Sequence, residues 1–204
     1  RDAGLGRRLK EYQREDVLSR GIDTMYWTFD PLRSRNAHLN LTRLGAVVRE
    51  YRVDMYGESD SPLHQGIGTD RFVALWLLDS ERVRGRLAGE PPEPHAGAPF
   101  SLPARPGTGG AHPAPGEPNL SLRDEAVRVV IPSDVGSLMD DDLELAVSWR
   151  LATRAAFQGY LARGYEVSEF ERGGPTSAYV LTRTMPRDGA EDEPGLHHDP
   201  EDDG

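Results

Sequence analysis

Cysteine is missing from the 204 residues, which excludes disulfide cross-links and thiolate chemistry. Also missing is any apolar run near the roughly 20 residues that a helix needs to cross a bilayer, so a membrane is not an expected partner. The sequence has no Lys/Arg stripe of the kind that tracks a nucleic-acid backbone, and nucleic acid is not expected either. Position 1 is arginine, and nothing there has the pattern of a secretory signal. The acidic balance is lopsided: of the formal net charge of −10, residues 187–204 hold eight acids against one arginine, which leaves the rest near −3. That tail has no apolar periodicity and reads as disordered. His197 and His198 beside Asp199 read as solvated groups of the tail, and no metal is expected.

What is present is a globular composition, 37% hydrophobic, sufficient for one domain or two small ones. Between Gly89 and Asn119 stand nine prolines and six glycines, a composition expected of a linker. The expected organisation is therefore a first block over residues 1–82, a linker over 83–122, a second block over 123–184 and the tail over 185–204. In the first block, Leu5, Leu9, Tyr12, Val17 and Leu18 form the apolar stripe of a helix that Gly21 stops. Thr24 to Phe29 is aromatic and β-branched, a strand, and Asp30-Pro31 breaks it before a helical stretch near Leu32 to Leu44. Ala46 to Tyr56 and Asp70 to Leu78 read as strands, the latter apolar on both faces and so interior. The second block reads as strand Val127 to Ile131, helix Leu143 to Arg163, and a hairpin of Tyr165 to Glu171 with Ala178 to Thr182. Asp140, Asp141 and Asp142 suit the start of that helix as caps.

The opening Arg1-Asp2-Ala3-Gly4-Leu5-Gly6-Arg7-Arg8 is a glycine-pinched turn running into a helix. Glycines let a backbone approach a ligand closely, and the unpaired N–H groups of a helix start attract anions. Arg1-x-x-Gly4-x-Gly6 resembles the pyrophosphate loop of the GNAT acyltransferase superfamily. The run Trp27-Thr28-Phe29-Asp30-Pro31-Leu32-Arg33-Ser34-Arg35-Asn36-Ala37, with Leu39-Asn40, Leu44-Gly45-Ala46 and Thr69-Asp70-Arg71-Phe72, resembles a little-characterised prokaryotic subfamily of acetyltransferases within it. The resemblance implies an α/β fold, a GNAT-like mixed sheet with flanking helices that lacks its first strands, followed by a C-terminal β-α-β-β segment. It also implies that Arg1, Ala3, Gly4, Leu5, Gly6 and Arg7 hold the pyrophosphate of acetyl-coenzyme A or another acyl-coenzyme A. The implied acceptor is a small-molecule amine, and the implied location is the cytoplasm. A homodimer is the expected assembly.

Two departures bear on these expectations. The tyrosine that serves many GNAT enzymes as general acid aligns with Leu41, and the strands that precede the pyrophosphate loop are not in the sequence, so the chain is expected to be a fragment or truncated product. Tyr160-Leu161-Ala162-Arg163-Gly164-Tyr165 resembles the missing tyrosine-to-glycine helix ending, which makes the second block a candidate degenerate half repeat and Tyr160 the candidate catalytic acid, set against a reading as core. Arg150 and Arg154, one helical turn apart, are candidates for an acidic acyl or acceptor group, set against a solvent face. His38 is weighed as a base, Asp30 as an amine ligand, and Asn36 and Asn40 remain open. The expected function is N-acyl transfer by direct attack of an amine on the thioester. The alternatives are a coenzyme A-binding or regulatory module without turnover, and an interaction fragment without a ligand.

Overall fold

The structure, a computed structural model, describes residues 5–57, 66–107 and 112–184. Its elements in chain order are α1 (Leu5–Ser19), β1 (Thr24–Phe29), α2 (Ser34–Ala37) continued by a π-helical turn (His38–Arg43), β2 (Val47–Arg52), β3 (Arg71–Leu77) and α3 (Glu81–Ala88). There follow β4 (Phe100–Leu102), β5 (Ala104–Arg105), β6 (Ala114–Pro115), β7 (Ala126–Pro132), α4 (Val135–Asp141), α5 (Leu143–Leu161), β8 (Tyr165–Glu171) and β9 (Thr176–Arg183). A seven-stranded mixed sheet in the order β1-β3-β2-β8-β9-β7-β4 is flanked by the helices, and β5 and β6 form a separate two-stranded sheet. Among the described residues, no helix is long and apolar enough to cross a membrane.

Local chemistry accounts for the element ends. Ser80 accepts from the Val83 amide to cap α3, and Gly89 closes it at φ 92°. Asp134 caps α4 through the Ser137 amide and Asp142 caps α5 through the Leu145 amide, so one of the three adjacent aspartates does cap the long helix. Gly45, at φ +74°, is pressed against α3: a Cβ there would lie 3.0 Å from Arg86 Cγ and 3.2 Å from the Arg82 carbonyl oxygen.

The sheet consists of two units with one topology. In the first, β1, the α2–π segment, β2 and β3 give the strand order β1-β3-β2; in the second, β7, α4–α5, β8 and β9 give β7-β9-β8. The units meet where β2 pairs antiparallel with β8, Val48 opposite Val167. β3, apolar on both faces, is interior between β1 and β2, with only Leu77 more than slightly exposed. Phe72 of β3 is the hub of the core, edge-on to Phe29, Tyr51, Phe157 and Tyr179 at centroid distances of 5.6, 5.5, 4.6 and 5.5 Å.

Two parts differ from the sequence reading. Of residues 83–122, expected as a linker, the first hold most of α3, and the described residues 98–107 and 112–122 lie as a strap along the second unit. β4 pairs parallel with β7, and Ser101 and Leu102 are fully buried. Proline lacks a donor but keeps its carbonyl, and the strap is used as a row of acceptors. Pro99 accepts from the Arg128 amide, Pro103 from Gly116, Pro113 from Trp149 Nε1 at 2.9 Å, and Pro115 from Arg105 Nε at 3.1 Å. The second difference is α1, which buries no residue: Leu5, Leu9 and Tyr12 are 59, 61 and 73% exposed. It is held instead by polar stems and its last turn. Arg7 and Arg14 donate to the carbonyls of Leu87 and Leu78, Lys10 lies over the Trp27 ring, and Val17 and Leu18 pack on the core.

Candidate functional site

Each unit sends its first strand into a helix through a turn, and these two turns meet. Asp30 fixes the first by accepting from the Leu32 amide at 2.9 Å, and the buried Tyr179 hydroxyl donates to the Pro31 carbonyl at 2.7 Å. The Ser34 hydroxyl then donates to the carbonyl of Ser133, at the end of β7. Where the turns meet, a cavity of about 950 Å³ opens. Its walls are the first turn of α1 (Gly6, Arg7), the α2–π segment, the Ser133-Asp134-Val135 turn and Arg172 beyond β8.

The lining is cationic. Arg7, Arg33, Arg35, Arg43 and Arg172 face a single acid, Asp134, whose carboxylate already caps α4. Arg7 is engaged, with Nε 2.7 Å from Glu11. The side chains of Arg35, Arg43 and Arg172 make no hydrogen bond or ion pair among the described residues. His38 also lines the cavity, its Nδ1 buried with no partner. Burial, then the guanidinium charges of Arg172 and Arg43, lower its pKa from the usual 6.5, so the imidazole is neutral at pH 7. Exposed arginines without a carboxylate partner, lining a concave surface, suit phosphate or carboxylate oxygens.

Of the residues expected at a pyrophosphate loop, Gly6 and Arg7 line this cavity, Leu5 is an exposed residue of the first helical turn, and Arg1, Ala3 and Gly4 lie outside the described residues. Asn36 lines the cavity; Asn40 is buried and accepts from Trp27 Nε1 at 3.3 Å. Tyr160 is fully buried, donates to the Asn119 carbonyl at 2.7 Å, stacks edge-on with Tyr165 and is not among the cavity residues. Leu41, which aligns with the family tyrosine, is core.

The expectation for Arg150 and Arg154 is corrected. Arg150 is 1% exposed and pairs with Asp30 at 2.8 Å, while Arg154 grips Asp70 with Nε at 2.8 Å and Nη2 at 2.7 Å. Asp70 also accepts from Tyr51 and from the Asp54 amide. Both arginines are paired inside the fold, although Arg150 Nη1 is buried without a partner, and Asp30 Oδ1 already accepts from Arg150 and the Leu32 amide. Long-range partners 84 and 120 residues apart cannot be inferred from helical spacing alone.

Sequence reasoning missed the arginine ring. Arg33 and Arg35 stood inside the quoted run, and Arg43 and Arg172 had no signal beyond their charge, since only the fold brings the end of β8 to the π turn. Among the described residues, no group of three or more His, Asp or Glu is placed to hold a metal ion. His197 and His198 lie outside the described residues. Comparison with family models, with curated proteins and with solved structures gave no match to this chain.

Proposed function

We propose that the protein is an acyltransferase of GNAT type that moves an acetyl or other acyl group from acyl-coenzyme A to a small-molecule amine. One observation carries this reading: the glycine-bearing first turn of α1 opens onto a large cavity whose other walls supply Arg35, Arg43 and Arg172, which have no carboxylate partner among the described residues. The two-unit topology agrees with the second block being a half repeat of the first.

The fit to a polyphosphate donor is favourable at the residues present. Gly6 offers backbone without a side chain, and a Cβ there would meet only Leu39 Cδ2, at 3.6 Å. Arg7, held by Glu11 and the Leu87 carbonyl, is fixed beside it. Bound there, the donor supplies an activated thioester. The chain's own contribution is positioning: holding donor and amine in one cavity at an effective molarity worth on the order of 7 kcal/mol or more. No covalent nucleophile is required.

A coenzyme A-binding module without turnover is the second reading, favoured by the commitment of the Tyr160 hydroxyl to Asn119. Calorimetric titration with acetyl-coenzyme A tests both, and release of free thiol on adding a panel of amines separates them. Binding with turnover supports the enzyme, binding without turnover supports the module, and absence of binding rejects both.

A further inference from the structure

The π turn begins with His38 and ends with Arg43. Its penultimate residue, Thr42, donates through its hydroxyl to the Phe170 carbonyl at 3.1 Å, which clamps the turn to the end of β8. Arg172 lies two residues further along that chain, so both guanidiniums approach the imidazole from different elements. Three groups thus share one wall of the cavity. Arg43 and Arg172 have no counter-ion among the described residues, and His38 Nδ1 is buried without a hydrogen bond. The neighbouring acid, Glu171, is occupied: it takes a bidentate pair from Arg128 at 2.8 and 2.9 Å. Two like charges with no counter-ion beside a half-buried imidazole make this side of the cavity attractive to an anion, which would lie between the exposed Arg43 and Arg172. π-helical turns also recur at functional sites.

We propose that His38, Arg43 and Arg172 form an oxyanion subsite, separate from the Gly6–Arg7 corner, that takes a phosphate- or carboxylate-type group. Arg43 and Arg172 supply charge-assisted donors, and the neutral imidazole supplies a hydrogen bond without adding like charge to the pair. Two sources fit: the 3′-phosphate of the donor, and a carboxylate on the amine acceptor. Only this choice of source rests on the acyltransferase reading; the subsite itself does not.

The test follows the His38 ring nitrogens by two-bond 1H–15N NMR in the full chain while inorganic phosphate is added at constant ionic strength. Saturable movement of the His38 signals, with affinity weakened at least tenfold in Arg43→Gln and in Arg172→Gln, is the expected result. Circular dichroism checks the fold of each variant, and Arg172→Lys, which keeps the charge, should fall between wild type and Arg172→Gln. Unmoved His38 signals, or equal affinity in folded Gln variants, would overturn the subsite. Acetyl-coenzyme A and its 3′-dephospho form are then compared as competitors. Displacement by the first alone assigns the subsite to the donor's 3′-phosphate; displacement by neither, but by acetate, assigns it to an acceptor carboxylate. Phosphate binding at His38 with no acetyl-coenzyme A binding anywhere keeps the subsite and rejects the acyltransferase reading.

Discussion

Asp70 is the residue on which the Thr69-Asp70-Arg71-Phe72 signature turns. It has no exposed surface and three donors: Arg154, Tyr51 and the Asp54 amide. Burial alone would raise its pKa, but the hydrogen bonds from Arg154 and Tyr51 outweigh this, and it falls below the usual 3.8. The native state therefore holds this carboxylate ionised more readily than the unfolded chain does. Its contribution to stability is complete above about pH 4 and is lost as the pH falls through the native value. Asp70→Asn should destabilise the fold by about 3 kcal/mol, because Arg154 is left without its buried partner, and should flatten the acid limb of the stability curve. Urea titrations at pH 3 to 7 measure both; an unchanged acid limb would remove Asp70 from this role. That the motif is structural was not legible beforehand. Its acid was visible, but Arg154 lies 84 residues away, and only folding shows which charges meet.

At the level of elements, strands were the readable part, because β-branched and aromatic runs such as Thr24 to Phe29 have few other packed conformations. The Pro-rich strap was not readable. Composition reports the donors that prolines lack, whereas this segment works through carbonyls, which every proline keeps. Nor did the Leu5, Leu9, Tyr12 stripe of α1 forecast its exposure, since apolar periodicity identifies a helix without saying what covers it. Tyr160 belongs to this scale, as the pin between α5 and the strap. Tyr160→Phe should lower stability by about 1 kcal/mol, the worth of one hydrogen bond whose acceptor is left buried, and leave the proposed acyl transfer unchanged. A large fall in turnover with unaltered acetyl-coenzyme A affinity would return Tyr160 to the chemistry.

For the whole molecule, the two units are joined by the β2–β8 pairing, by α5 packed across β2, β8, β7 and β4, and by Arg82 and Arg86 of α3 meeting Glu169 of β8. A chain so connected should unfold in one cooperative transition. Coincident urea curves from far-UV circular dichroism and tryptophan fluorescence are expected, since Trp27 and Trp76 lie in the first unit and Trp149 in the second. Two separated transitions would mean that the blocks are independent. The same joining is what creates the cavity, because its walls come from both units, and neither block alone would bring Arg172 to Arg43.

The proposed acyltransferase requires the cavity to hold an acyl-coenzyme A at the start of α1, and calorimetry of wild type against Gly6→Asp tests this most directly. The substitution meets only ordinary contact with Leu39 and places an acid in a helix's first turn, where it is compatible with folding, yet it sets a negative charge where phosphates should bind. Saturable acetyl-coenzyme A binding by wild type, weakened at least tenfold in a folded Gly6→Asp variant, is the predicted result. Equal affinity in the two proteins, or no binding by wild type, would contradict it.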